Sequence, residues 1–389
     1  MGAYEPRVAY FPDSFYEING VAHTSRQFET FVRQRNLPFL FIRPGNRHPR
    51  LLEEGRLITL ELPRGSLAFA LEKDLTFDAG YVRHLLLVLR TLKNFRPDII
   101  HITGPSDNGI LGVVLANHLH LPLAASWHTN LHEYAARRAN WLLRHFHEGR
   151  RPAVAGAIEK TTLYLCARFY SIARILFAPN SGLCRLLEKE TGRPCHLMAR
   201  GVDTQVFSPA HRRRQPGDNA FVLGFVGRLS VEKNVALLGA IQQQLTARGL
   251  KNFRFLIVGH GAEESCLRQR LPGAEFPGVL RGEALSRAYA NMDLFVFPSH
   301  TDTFGNVVLE ALASGVPAIV TPDGGPPSIV LDGKTGFIAR DDDFADAVVR
   351  VVSNPPLHAE MRQAAREDGL SASWDGVFET VYDGYRTIL

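Results

Sequence analysis

PSHTDTFGNVVLEALASGVPAIVTPDGG, residues 298–325, reads as a strand end, a loop, a helix and a second strand. The apolar run LFVFPS (294–299) stops at Pro298-Ser299, a helix opens near Asn306 directly after Gly305, and PAIVT (317–321) returns as a short strand. Strands alternating with helices in this way build parallel sheet. Amides exposed at a helix start attract anions, and open α/β sheets bind ligands beyond the carboxyl ends of their strands. Asp302 falls in the loop and Glu310 about one turn into the helix, so the two carboxylates flank one mouth. Their charge keeps them off phosphate; sugar hydroxyls, which donate hydrogen bonds, are the matching partners. The same positions also suit a solvated loop acid and a glutamate that complements the helix dipole.

Upstream, FVGRLSVEKNVALL (225–238) repeats the strand–loop–helix pattern with the opposite charge. Arg228 and Lys233 follow the strand and precede the helix, and a guanidinium fork with a mobile ammonium suits a diphosphate. Two solvated cations would have the same pattern, with Lys233 paired to its neighbour Glu232. A third loop, DSFYEINGVAHTS (13–25), follows the first strand, and Gly20 there allows backbone to approach a ligand. It lacks the three-glycine dinucleotide fingerprint, which argues against a nicotinamide enzyme.

Further outward, the first half carries strands at 7–12, 38–44, 98–103, 123–128 and 175–180, with helical periodicity filling much of the space between them. A second series starts at FVLGFVG (221–227) and continues through FRFLIVG (253–259). Between the series, SPAHRRRQPGDN (208–219) is polar, basic and broken by Pro and Gly, the composition of a linker. The chain therefore divides into residues 1–207 and 208–373, and SWDGVFETVYDGYRTIL (373–389) forms a capped final helix.

The 389 residues suit two domains, and 45% hydrophobic with 21% charged residues describes a globular chain. No run of eighteen apolar residues occurs and the first residues do not read as a signal peptide, so a cytoplasmic location is expected. Four scattered cysteines without CxxC pairing fit a reducing compartment. A net charge of +5 helps attract anions but does not describe a nucleic-acid binder. His118, His120, His128, His132, His145 and His147 crowd one region without a metal-ligand spacing, so packing or surface roles are the expectation and no metal is assigned.

NGV (19–21), SWHTN (126–130), RGVD (200–203), VGRLSVEKN (226–234), IVGHG (257–261) and FPSHTDTFGNVVLEALASGVP (297–317), in this order, resemble the retaining glycosyltransferases of the GT-B fold, in particular the bacterial mannosyl-, glucosyl- and sulfoquinovosyl-lipid synthases. The resemblance spans nearly the whole chain. It implies two Rossmann-like α/β domains facing across a cleft, with the final helix (374–389) crossing back to the first domain.

It also implies roles. Glu310 would hold the nucleotide ribose and Asp302 the donor hexose; Arg228 and Lys233 would clamp the diphosphate, and Gly20 would approach the phosphates. His128 would point at the transferred sugar. Phe304, Gly305, Asn306 and Val307 would cradle phosphates and ribose with their backbone, Arg281 would lie where backbone frames the base, and Arg200 joins the donor-binding set. The family usually has Glu where Asp302 stands, and the shorter side chain leaves the donor hexose open. The implied chemistry is front-face attack with retention, the leaving phosphate taking the acceptor proton, with cationic side chains in place of a metal. The donor would be a GDP- or UDP-linked hexose and the acceptor a sugar or a lipid-linked hydroxyl.

Two other functions fit the same architecture: a sugar-nucleotide 2-epimerase, which needs no acceptor, and a binding module without turnover. The segment LHEYAARRANWLLRHFHEGRR (131–151) bears on the acceptor. As a helix it sets Leu131, Tyr134, Trp141, Leu142 and Phe146 opposite Arg137 and Arg144, which fits a transient contact with anionic membrane from its inner face as well as a core helix with solvated arginines.

Overall fold

In the computed structural model, residues 4–17, 20–45, 48–66, 68–72, 75–128 and 151–389 are described. The chain forms two units, Met1–Ala199 with Asp375–Leu389, and Arg200–Trp374.

The first unit is organised by an eight-stranded sheet in the order Cys195–Leu197, Ile175–Ala178, Leu123–Ser126, Ile99–Ile102, Val8–Phe11, Phe39–Gly45, Leu57–Pro63 and Arg50–Glu54. All but the last are parallel; Arg50–Glu54 folds back antiparallel on Leu57–Pro63. The central strands are continuous apolar runs because helices cover both faces. Strand Val8–Phe11 sits next to both Phe39–Gly45 and Ile99–Ile102, so the chain reverses its direction of growth there.

Between residues 44 and 98 the structure holds strands the sequence reading did not name: Arg50–Glu54, Leu57–Pro63 and the hairpin Ala68–Glu72 with Leu75–Asp78. Leu57–Pro63 is buried along most of its length although its sequence alternates, with Thr59 and Glu61 set between Ile58, Leu60 and Leu62.

The final helix, Trp374–Arg386, was expected to return to the first domain, and from Asp375 onward it packs there. Phe378 stacks on Phe28 with ring centroids 4.3 Å apart. Gly384 lies flat on Phe177, whose ring would be 2.8 Å from any Cβ placed there.

The second unit holds a six-stranded parallel sheet in the order Glu275–Gly278, Phe253–Val258, Phe221–Val226, Leu294–Phe297, Ala318–Val320 and Gly336–Ile338. In chain order this is 3-2-1-4-5-6, the doubly wound arrangement. Residues 208–219, read above as a linker, are bonded into this unit instead. Arg212 and Arg214 donate to the carboxylate of the buried Asp293 at 2.7 and 2.8 Å, and His211 meets Ser286 at 2.7 Å. The basic composition that suggested a linker is countercharge for a buried acid.

Candidate functional site

Strands Phe221–Val226 and Leu294–Phe297 are neighbours, and the sheet grows away from them in both directions. Such a switch point leaves a crevice at the carboxyl edge, because the loops that follow the two strands diverge. Arg228 and Lys233 follow one of these strands; Asp302, Phe304, Gly305, Asn306, Val307 and Glu310 follow the other.

Lys233 ends the short turn Val231–Lys233, which Asn234 closes in the left-handed conformation at φ 51°. Its ammonium donates to Asp302 Oδ1 at 2.5 Å and lies 5.6 Å from the ring centre of Phe297. Both side chains of this ion pair are largely shielded, at 16% and 20% exposure. Lys233 is therefore not the solvated partner of Glu232. Asp302 Oδ2 is buried without a hydrogen-bond partner among the described residues, an acceptor that a ligand hydroxyl would satisfy. The surroundings are braced: Asn234 donates to Asp341 at 3.0 Å, and His300 meets Asp323 at 2.8 Å.

Helix Asn306–Ala313 begins without a side-chain cap. Gly305 before it takes φ 99°, a left-handed conformation that a side chain would strain. Val308 is the first amide of the helix bonded within it, to the Gly305 carbonyl at 2.9 Å. The amides of Gly305, Asn306 and Val307 have no acceptor among the described residues. These orphan donors follow the Lys233–Asp302 pair by a few residues, and together they make an electropositive mouth. Gly325 lets the following loop close on this one: a Cβ there would stand 2.3 Å from the Thr303 carbonyl oxygen and 2.4 Å from Phe304 Cα.

Glu310 lies in the second turn of that helix, where Tyr289, itself fully buried, donates to its Oε2 at 2.8 Å. Burial pushes the Glu310 carboxyl up to about 7, against the opposing pull of the Tyr289 hydrogen bond. The remaining residues singled out in the second unit are placed differently. The Arg228 side chain is exposed and makes no ion pair among the described residues. Arg281 is exposed at the start of helix Gly282–Asn291, while Arg200 is buried at the first residue of the unit.

In the first unit Gly20 opens helix Gly20–Gln34 at an exposed position, and a Cβ there would meet nothing within 4 Å, so packing does not demand glycine. His128 stands two residues beyond strand Leu123–Ser126 and is buried, with Ser126 Oγ 2.7 Å from its Nε2. Thr129 and residues 130–150, which include His132, His145, His147 and nearly all of the amphipathic stretch, lie outside the described residues. Among the described residues no three potential metal ligands are grouped, and no helix is long and apolar enough to cross a membrane.

Sequence reasoning missed Tyr289, His101, Ser126 and Tyr385. Tyr289, His101 and Tyr385 are distant in the chain from their partners and only the fold brings them together, whereas Ser126 lies inside the SWHTN stretch without being singled out.

Comparison with known proteins gives a consistent picture. The family model described as glycosyl transferases group 1 matches residues 220–354, and that described as glycosyltransferase family 4 matches residues 18–206. A GDP-mannose-dependent alpha-mannosyltransferase of Mycolicibacterium smegmatis is 33% identical over 318 residues, covering 78% of this chain and 76% of that protein. One of the same name from Mycobacterium tuberculosis is 30% identical, covering 98% of this chain and 97% of that protein. Among solved structures, sucrose-phosphate synthase from Thermosynechococcus elongatus superposes with a TM-score of 0.72 at 17% identity, covering 98% of each chain, a likeness of fold.

Proposed function

Because the chain belongs to the family 4 glycosyltransferases, we propose that its second unit holds the diphosphate of a nucleotide-linked hexose at the start of helix Asn306–Ala313. The protein is a hexosyltransferase with a nucleotide-sugar donor. The observation that carries the assignment is the set of orphan amides at Gly305, Asn306 and Val307 beside the shielded Lys233–Asp302 pair. A diphosphate accepts from those amides and from the two Lys233 protons that Asp302 does not use. A hexose hydroxyl donates to the unpartnered Asp302 Oδ2, and the ribose hydroxyls donate to Glu310.

Transfer breaks the bond from the anomeric carbon to the phosphate oxygen and forms one to the acceptor oxygen. The acceptor proton passes to the leaving phosphate, so no separate carboxylate base is required, and attack from the departing face retains configuration. Charge grows on the diphosphate as the bond breaks. Lys233, Arg228 and the helix amides are preorganised against it, and they supply the countercharge without a metal. Arg281 frames the base, Arg200 supports the donor, Gly20 meets the phosphates, and His128 serves the transferred hexose.

GDP-mannose is the donor proposed, since three mannosyltransferases that align over most of their length are GDP-mannose-dependent by name; a UDP-hexose is the alternative. The acceptor proposed is a hydroxyl on a lipid or lipid-linked glycan. Thermal-shift titration with GDP, UDP, GDP-mannose and UDP-glucose, followed by NMR of the product's anomeric proton, tests this reading. GDP-mannose should stabilise most and the product should be the alpha anomer. Stabilisation by no nucleoside diphosphate would remove the assignment of the site.

A further inference from the structure

Behind His128, in the interior of the first unit, lies a chain of polar groups that the transfer chemistry above does not use. Ser126 Oγ is 2.7 Å from His128 Nε2 and 3.0 Å from His101 Nε2, and His101 Nδ1 is 2.5 Å from the Tyr385 hydroxyl. The members come from three places: the ends of two neighbouring strands, and the final helix more than 250 residues later. Tyr385 and His101 are fully buried and Ser126 is 1% exposed, so no solvent stands in for a missing partner. A buried polar row of this kind is expensive unless every member is satisfied, and that requirement sets its direction.

Burial drives the His101 imidazole down to about 3, so it is neutral and carries one proton. The row then has two self-consistent directions. In one, Tyr385 donates to His101 Nδ1, His101 Nε2–H donates to Ser126, and Ser126 donates to His128 Nε2. In the other every arrow reverses, and the Tyr385 phenol proton must find an acceptor elsewhere. Among the described residues His101 is the single hydrogen-bond partner of that hydroxyl, so reversal strands a buried donor without an acceptor. The first direction wins.

We infer that Tyr385, His101 and Ser126 are positioning residues which hold His128 in the tautomer with its proton on Nδ1 and its Nε2 accepting from Ser126. The inference rests on the reading that His128 serves the transferred hexose, for it is there that the tautomer matters. So fixed, the imidazole keeps one defined acceptor edge at Nε2 and one defined donor edge at Nδ1, and its orientation does not drift between tautomers. The final helix thereby takes part in the site of the first unit through a phenol, in addition to covering its sheet.

The test combines NMR with kinetics. Nitrogen-15 spectra of the whole protein labelled at histidine, with the His128 signals assigned by loss in His128→Ala, should show Nδ1 protonated and Nε2 bare. A protonated Nε2 at neutral pH overturns the inference. Ser126→Ala and Tyr385→Phe should each let the protonated-Nε2 form appear and lower kcat about tenfold or more, since a misplaced histidine tautomer is costly in hydrolases. The donor KM should stay within about twofold, because a tenfold kcat loss reflects about 1.4 kcal/mol in the transition state alone. Ser126→Thr, which keeps the hydroxyl, should restore both the tautomer and the rate. A Tyr385→Phe enzyme with an unchanged tautomer and rate overturns the role of the phenol. Full activity in His128→Ala would instead remove His128 from the hexose while leaving the tautomer result intact, so the two failures are distinguishable.

Discussion

Lys233 and Asp302 were assigned to different parts of the donor from their places in the chain, and the structure joins them as one ion pair at 2.5 Å. The ammonium is thus aimed before any ligand arrives. Lys233→Ala should lower kcat by about 10²–10³, the usual effect of losing one preorganised charge contact, with little change in melting temperature because the pair is not a core element. Turnover near the wild-type level with a verified donor would dismiss the clamp. Glu310 behaves differently. Its carboxyl titrates near 7 in the folded protein against an ordinary value of 4.5. The raised folded value means that the folded state binds the proton more tightly, so the stabilisation is complete below the unfolded value and is lost as pH rises through 7. Glu310→Gln, which cannot ionise, should therefore melt higher than wild type at pH 8 and alike at pH 4. If the ionised carboxylate receives the ribose hydroxyls, nucleoside diphosphate affinity should fall as pH drops below 7, and the variant should bind weakly without that dependence. Calorimetric titration across pH 5.5–8.5 checks both. At this scale the motif residues were legible because local spacing sets them on one loop and helix. Tyr289, which holds Glu310 from 21 residues away, was not, since nothing in its own surroundings marks it.

Elements succeed here by lying close. Loop 302–305 and the turn at Gly324-Gly325 pack backbone to backbone, with Gly325 N donating to the Asp302 carbonyl at 2.6 Å. Gly325→Ala puts a methyl carbon within 2.4 Å of Phe304 Cα, and no side-chain rotation relieves a clash with backbone. The variant should move the helix start as well as weaken the fold, so GDP stabilisation in a thermal-shift assay should shrink more than the basal melting temperature falls; the reverse would show the turn to be scaffold alone. The parallel strands of both units could be read from apolar runs and their helix spacing. The strands between residues 44 and 98 were not named: Leu57–Pro63 does alternate, with Ile58, Leu60 and Leu62 on one face and Thr59 and Glu61 on the other, but the run is short, and its partner Arg50–Glu54 is a mostly exposed edge without a period-two pattern. The stretch 208–219 misled for a related reason. Its arginines looked solvated because their partner, Asp293, lies almost eighty residues further on.

For the whole molecule, the proposed metal-free transfer, in which cationic and amide groups of the second unit neutralise the leaving diphosphate, predicts that activity persists in saturating EDTA; complete loss, restored by magnesium or manganese, would reverse that proposal. The proposed lipid acceptor predicts sedimentation with liposomes that contain acidic lipid, reduced by Arg137→Glu with Arg144→Glu; binding indifferent to lipid charge and to both changes would take residues 131–151 out of the account. Two domains and a returning final helix were legible because each series of strands has its own apolar core and the last segment has amphipathic spacing with five large apolar residues to bury. That return has a temporal side. A ribosome delivers Met1–Ala199 first, yet Phe28 and Phe177 wait for Phe378 and Gly384. At 5–20 residues per second the wait is on the order of ten to thirty-five seconds, during which the second unit can finish folding while the first still shows a bare aromatic face. Nascent chains should thus need chaperone shelter longest at their oldest part, and any premature stop before residue 375 would leave that face open for good.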